Sequence, residues 1–507
     1  MAANGSFYIT TTIPYVNAEP HLGHALELVQ ADVLARHRRL RGQPVRFLTG
    51  TDDNALKNVT AARAAGQAVR AFVDANAARF RGLREPLGLS FDDFISTSAD
   101  PRHRSGVERL WRQCAERGDF YLRHYRGLYC PGCEQFYAPA ELDCGVCAEH
   151  RVAPEPVTEQ NWFFRLSRYT GDLLDVLQSG RVRVEPATRR NEVLAFVRAG
   201  LADFSVSRPA ARAGGWGIPV PGDPGQIIYV WWDALANYIT ALGYGGGEPP
   251  YRDWWVSSGE RVHVIGKGVT RFHAVYWLAL LLSAGQPLPS AIWVHEYLSA
   301  GGAKLSKSAG NSVSPCDVVG RFGTDAVRWW LLRDVARHGD TDFTAGRLVR
   351  RANSDLANGV GNLQQRTLTL VHRYRQGRLA GPASAGPLGA ELAAAHQGLP
   401  ELIDEALARF DFRAATGAIC SAVQAGNRLV EAQRPWELAR REEQGDDAAA
   451  ARLDGLLGVL AETCRALAIE LQPFIPGGAS VLSSQFRTHR GRIAPPAPVF
   501  ARLKIPE

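Results

Sequence analysis

Lysine is nearly missing from this chain of 507 residues: five of its 58 basic residues are lysine and the other 53 are arginine. On a solvated surface either cation serves, so each remaining lysine marks a place where a compact, mobile ammonium does what a planar guanidinium fork cannot. Long apolar runs are missing too. No stretch approaches the roughly 20 apolar residues of a membrane span, and MAANGSFYITTT lacks the basic start and apolar stretch of a secretion signal. A cytoplasmic protein with no membrane contact is expected. Cysteine is scarce and uneven, with Cys114, Cys316, Cys420 and Cys464 isolated and the other four of the eight clustered. That distribution argues against a disulfide framework and makes the isolated four buried free thiols. Internal repeats and long low-complexity tracts are absent as well.

What is present describes a folding, multi-domain protein. Apolar content of 46%, charge of 21% and 12 tryptophans are ordinary for a globular chain, and the length calls for several domains. A net charge of +7 suits a polyanionic partner such as nucleic acid. The segment SFYITTTIPYVN is β-branched and aromatic, breaks at Pro14 and Asn17, and runs into HLGHALELVQADVLARHRRLRG, apolar at helical spacing until Gly42. PVRFLTGTD and a second helical stretch come next, the βαβ rhythm of a parallel sheet. Near residue 118 the rhythm stops at a loop-rich, cysteine-bearing stretch. It returns with QIIYVWWDALANYITALG, RVHVIGKG and AIWVHEYL, and from about residue 346 only amphipathic helices remain.

The pattern predicts an α/β protein: a split, doubly wound parallel (Rossmann-type) sheet with an insertion, then an all-α helical bundle. Residues 1–117 and 201–300 supply the two halves of the sheet and 118–200 the insertion. The lysine-bearing connection is 301–345, and the bundle is 346–507.

Three motifs carry chemistry. HLGH, residues 21–24, falls where a loop meets the first helix, whose open N–H groups and positive dipole suit an anion. Gly23 lets a flat ligand approach the backbone, and His21 and His24 add donors for developing phosphate charge. GGAKLSKSAGN, residues 301–311, places Lys304 and Lys307 in a glycine-flanked turn suited to closing over a triphosphate. Finally, Cys130-x-x-Cys133 and Cys144-x-x-Cys147 stand ten residues apart, a spacing that fits four thiolates around a structural zinc ion. His150 is a possible substitute ligand, and a redox dithiol would need only one such pair.

HLGH after the first strand and KLSKS after the last resemble the paired motifs of class I aminoacyl-tRNA synthetases. The resemblance implies that His21, His24 and Lys307, with Lys304 assisting and Gly23 beside the nucleotide, stabilise the transition state as an amino-acid carboxylate attacks ATP, bound with Mg2+. It narrows to the methionyl-tRNA synthetases through TIPYVNAEPHLGH, RFLTGTD, FVRAGLADFSVSR, WGIPVPGDP, IIYVWWDALANYIT, HVIGKGVTRFHAVYW and KLSKSAGN, in that order. By that similarity the methionine site comprises Ile13, Tyr15, Trp231, Ala234, Leu235, Tyr238, Val269 and His273, with Asp52 holding the substrate ammonium. Aromatic and aliphatic walls suit a soft thioether, and a carboxylate at a strand end suits an amine.

The same family carries a zinc knuckle at this place, which assigns Cys130, Cys133, Cys144 and Cys147 to the metal. It also reads the anticodon with an asparagine and a Pro-Trp pair, matched here by Asn427, Pro435 and Trp436. Residues 301–345 would form the KLSKS loop and stem-contact region. Dimeric members carry an appended C-terminal module that this chain does not, so a monomer is expected.

Three places depart from the family pattern. Asp52-Asp53-Asn54-Ala55 stands for Asp-Glu-His-Gly, Gly266-Lys267-Gly268 for Gly-Lys-Asp, and His295-Glu296 for His-Gly, the last adding a charge near the expected adenine. The resemblance implies ATP-dependent activation of L-methionine and transfer to tRNA(Met). The departures open an alternative, a ligase that delivers its adenylate to a small-molecule acceptor. A non-catalytic RNA-binding paralogue is a third reading, opposed by the intact HLGH and KLSKS.

Overall fold

The Phe7–Thr11 segment, FYITT, is buried at every residue, as a β-branched and aromatic strand covered on both faces must be. The structure is a computed structural model and describes residues 5–130, 135–137, 139–147, 151–304, 313–380 and 384–505, excluding the side chains of Gln135, Ala303 and Lys304. Six strands form the main sheet: β1 Phe7–Thr11, β2 Val45–Thr51, β3 Asp93–Ser96, β4 Arg183–Glu185, β5 Glu260–Gly266 and β6 Ala291–His295. Their spatial order is β3-β2-β1-β5-β6-β4, with every neighbouring pair parallel. The chain leaves β1 toward β2 and leaves β5 toward β6, so the order reverses between β1 and β5. Ligands of doubly wound sheets bind outside the carboxyl ends of the strands at such a reversal. Asp52, Gly266-Lys267 and His295-Glu296 stand directly at that edge, and HLGH follows the loop that leaves β1.

The sheet draws one strand from a place the sequence rhythm assigns to the insertion. Strand β4 pairs with β6 through Arg183, Val184 and Glu185. With three residues, only Val184 of them buried, it carries almost no periodic signal. The same stretch supplies Phe120–Cys130, Gln135–Tyr137 and Glu155–Phe164 to an antiparallel sheet that Phe204–Ser205 completes, and two helices, Thr170–Gln178 and Ala187–Arg198.

Helix α1 (Leu22–Leu40) begins at His21 and ends on Arg38 and Arg39, cations placed to meet the negative end of the helix dipole. Helix α2 (Pro101–Glu116) starts with Asp100 as N-cap and proline in its first turn. Helix α3 (Val230–Thr240) is buried at nearly every position. Around α2 and α3 lies an aromatic core in which Trp232, Trp255 and Trp277 are fully enclosed and Trp111 stacks on Phe120 at 4.2 Å. Large rings of this kind dominate core energetics.

Contacts divide the chain into two units, one of residues 1–85, 89–297 and 306–314, the other of 86–88, 298–305 and 315–507. In the second, Leu298–Ala300 pairs parallel with Thr341–Asp342 and antiparallel with Ala303–Lys304. Gly301 and Gly302 make the turn with φ of 62° and 77°, a left-handed pair that glycine adopts without penalty. Helices including Thr324–Arg333, Phe412–Gln433 and Asp447–Glu470 complete this unit, in line with the apolar periodicity. Arg328, fully buried, donates to the carbonyls of Leu87, Pro473 and Phe474 at 2.8 to 2.9 Å. A guanidinium cannot shed its charge, so burying it demands such a set of acceptors. Among the described residues no helix is long and apolar enough to cross a membrane.

Candidate active site at the carboxyl edge of the sheet

The two histidines of HLGH cap their own helix. His21 Nδ1 accepts from the Gly23 N–H at 3.1 Å, and His24 Nδ1 accepts from the His21 N–H at 3.1 Å, a reciprocal box built from imidazoles. An acceptor nitrogen carries no proton, so both rings are held in the Nε2–H form. The rings stack with centroids 3.8 Å apart. Burial, then the neighbouring His21 and His295, push the His24 pKa well below its usual value, so it stays neutral.

One expectation changes here. Instead of lying open to an anion, the first amides of α1 are all engaged: Leu22 N–H by the Val313 carbonyl (2.9 Å), Gly23 N–H by His21 Nδ1, and the His24 and Ala25 N–H groups by the His21 carbonyl. The helix dipole still favours an anion, but the donors on offer are imidazole N–H groups. The bond to Val313 also brings a residue two positions past GGAKLSKSAGN onto the start of α1.

Deeper in the same edge, Glu27 accepts from the Thr12 N–H at 2.7 Å and from the Thr12 hydroxyl, and meets His295 Nε2 at 2.9 Å. His295 Nδ1 lies 2.9 Å from the Glu296 carbonyl, so both of its ring nitrogens face acceptors. Glu296 does not stand as a lone added charge. Its two carboxylate oxygens receive Arg189 at 2.6 and 2.7 Å, and Lys267 lies 3.4 Å away.

The residues expected around a thioether converge. Tyr15 meets Trp231 edge to face at 6.0 Å, and Trp231 stacks on Phe272 at 3.7 Å. Ile13, Trp231 and Val269 pack on the core that holds Leu235 and Tyr238, and Ala234 is buried beside them on α3. His273 Nδ1 lies 2.9 Å from the Val269 carbonyl, so it carries the ring proton, and Nε2 accepts from the Tyr238 hydroxyl at 2.6 Å. Asp52, only 2% exposed, is fixed through its backbone by the Pro14 carbonyl at 2.9 Å and a bridge to Tyr15. Lys57 sits 4.0 Å above the Tyr15 ring.

Lys307 and Cys133 lie outside the described residues, as does His150, and of Lys304 only the backbone is described, in its strand. Cys130 and Cys147 are buried, and Cys144 is exposed with a left-handed φ of 50°. Among the described residues no three metal-binding side chains form a cluster. Asn427, on Phe412–Gln433, accepts from Arg366 at 3.4 Å, an arginine that sequence reasoning missed. Pro435 opens the helix Pro435–Glu443, and Trp436 beside it is 41% exposed.

Neutral buried histidines make the fold sensitive to acid. Burial lowers His24 and His263 well below the usual 6.5, and His273 to about 4. Their folded pKa values lie under the unfolded one, so their contribution is whole above pH 6.5 and is lost progressively as pH falls below it, for His273 down to about 4. Each then costs ~1.4 kcal/mol per pH unit. Asp53, raised to about 6 by burial, has the opposite sign between 3.8 and 6 and offsets one of the three. The Tm should therefore fall steadily below pH 6.5, and His273→Gln should flatten the slope, as calorimetry across a pH series would measure.

Comparison with known proteins gives these features a context. The family described as tRNA synthetases class I (M) matches residues 7–155 and 138–368. A methionine--tRNA ligase of Brucella suis is 39% identical over 480 residues, covering 94% of this chain and 90% of its own length. The corresponding enzyme of Caldanaerobacter subterraneus is 39% identical over 472 residues, covering 93% and 72%. Among solved structures, Mycobacterium tuberculosis methionyl-tRNA synthetase in complex with methionyl-adenylate is similar with a TM-score of 0.92 and 37% identity, over 98% of this chain and 100% of that one.

Proposed function

The chain belongs to the class I tRNA synthetases of the methionine type, and from that premise we propose that it activates L-methionine with ATP and passes the methionyl group to tRNA(Met). In the first step a carboxylate oxygen of methionine bonds to the α-phosphorus of ATP, and the bond from that phosphorus to the bridging oxygen breaks, releasing pyrophosphate. In the second, a hydroxyl of the terminal ribose of the tRNA attacks the methionyl carbonyl and AMP leaves. Neither step needs a covalent bond to the protein, so its work is positioning and charge stabilisation.

The observation that carries this reading is the pairing on one sheet edge of an aromatic pocket with two Nε2–H imidazoles. Asp52 would hold the ammonium, and Tyr15, Trp231, Tyr238 and His273 would surround the thioether. His21 and His24 would donate to phosphate oxygens through Nε2–H, without the electrostatic cost of a buried second charge. Lys304 and Lys307 would add mobile cations for the departing pyrophosphate, which Mg2+ bound with ATP also screens. The small-molecule-acceptor alternative drew on Asn54, Ala55 and Gly268. It loses ground because Asn54 hydrogen-bonds Asp233 at 2.7 Å, inside the site's own framework.

In this reading a structural zinc ion, held as thiolates by Cys130, Cys133, Cys144 and Cys147, orders the insertion. Support comes from the two C-x-x-C pairs and from the turn at Cys144-Gly145, which reverses the chain between Asp143 and Val146. One zinc per chain by elemental analysis, lost in a Cys130→Ser, Cys147→Ser double variant, is the expected result.

Pyrophosphate exchange with each amino acid in turn, followed by charging of tRNA, tests the function. Methionine should drive exchange far above the others, and methionine should then appear on tRNA(Met). Exchange without charging would favour the small-molecule acceptor. Trp436 is exposed at a helix start, where an indole can stack an unpaired base. Trp436→Ala should lower kcat/KM for tRNA by about 10- to 100-fold, the worth of one stacked base, while exchange stays unchanged.

A further inference from the structure

Asn54 stands where the family pattern carries histidine, two residues past the carboxylate assigned to the substrate amine. Its Nδ2 donates to Asp233 Oδ2 at 2.7 Å, across 179 positions of sequence. Asp233 lies in the first turn of α3, the helix that carries Trp231, Ala234, Leu235 and Tyr238. The other Asp233 oxygen meets Nε2 of His103, a fully buried residue of α2 whose Nδ1 reaches the Thr240 hydroxyl at 2.8 Å. One imidazole therefore grips α3 at both ends, and Asn54 reaches that grip from the strand-end loop.

The loop is itself rigidly held. Asn58 Nδ2 donates to the carbonyls of Asp52 and Asp53 at 2.9 and 3.0 Å. The Asp53 N–H donates to Thr97, its carboxylate receives Ser98, and its carbonyl receives the Trp216 indole N–H. Two stiff pieces, the Asp52 loop and α3, are thus joined side chain to side chain at Asn54.

We propose that Asn54 is a positioning residue that sets the separation between the ammonium anchor Asp52 and the side-chain pocket on α3, and thereby the affinity for methionine. The inference rests on the methionine-activation reading and assigns the substitution at residue 54 a role within it. Asn54 needs no contact with the substrate for this, because a shift of α3 by a fraction of an ångström moves Trp231 and Tyr238 together.

Pyrophosphate exchange on the full chain tests it, with KM measured separately for methionine and for ATP. Asn54→Ala should raise KM for methionine about tenfold, the scale of a lost hydrogen bond to a charged group, with KM for ATP unchanged. Asn54→Asp keeps the shape but turns a second carboxylate toward Asp233, and should raise it further. Asn54→His restores an N–H donor and should return KM close to that of the unmodified chain. If Asn54→Ala does not accumulate folded, the order of Asp above His decides the matter. An unchanged KM for methionine, or a rise in both KM values together, overturns the inference. Failure of the unmodified chain to exchange with methionine would instead overturn the function reading, and this inference with it.

Discussion

Asp52→Asn should lower kcat/KM for methionine in pyrophosphate exchange by about 100- to 10,000-fold. Removing one partner of a buried ion pair costs about 3–5 kcal/mol, because the ammonium that arrives is stripped of water and finds no counter-charge. At about 1.4 kcal/mol per tenfold, this is two to four orders of magnitude. The position allows little relief. Asp52 is buried at the end of β2, its backbone is held to Pro14, and Tyr15 lies across from it. The adjacent Asp53 is a poor replacement, since its carboxylate is turned to Ser98 and burial raises its pKa to about 6. Asparagine keeps the shape, so the loss should fall on methionine and leave the Tm nearly unchanged. A fall of less than tenfold would remove Asp52 from the role of amine anchor.

His24→Ala should lower kcat by about 100- to 1,000-fold, the usual loss when one preorganised donor to a transition-state oxyanion is removed. KM for methionine should stay near its original value, because the amino-acid pocket does not use this ring. His24 is neutral, and protonation would add its second ring proton at Nδ1, keeping the Nε2–H donor but breaking the bond from the His21 N–H that aims the ring. The acid limb that His24 sets on kcat should therefore lie well below pH 6.5. Each variant should also cost about 1 kcal/mol of stability, since His21→Ala strips the Gly23 N–H of its acceptor and His24→Ala strips the His21 N–H of its own. A loss of kcat beyond what the shared fall in Tm explains separates catalysis from capping. A His24→Ala enzyme within fivefold of the parent kcat would remove this ring from the chemical step.

Much of the fold is legible because its signals are local. β-branched strands and helical spacing over 10 to 20 residues reveal the parallel sheet, its interruption and the helical region, and HLGH announces a helix start directly. The proposed pocket residues are legible only through resemblance, since nothing local distinguishes Trp231 from Trp232, yet one is half-buried and stacks on Phe272 while the other fills the core. Long-range pairings escape altogether. Asn54 with Asp233, His103 with Thr240, Glu27 with His295 and Glu296 with Arg189 join positions more than 100 residues apart. Sequence spacing also misjudged the start of α1, where a local motif suggested open amides. It contains no trace of the Val313 carbonyl, and it does not reveal that an imidazole so near in sequence folds back to accept from Gly23.

That imidazole cap ties molecular order to chemistry in a way that can be watched without substrate. The Gly23 amide is protected only while His21 presents a bare Nδ1, the same condition that leaves the proton on the outward nitrogen. Fraying of one helical turn and scrambling of the ring tautomer are therefore a single event. Slow deuterium uptake at one glycine would count the fraction of molecules ready to react.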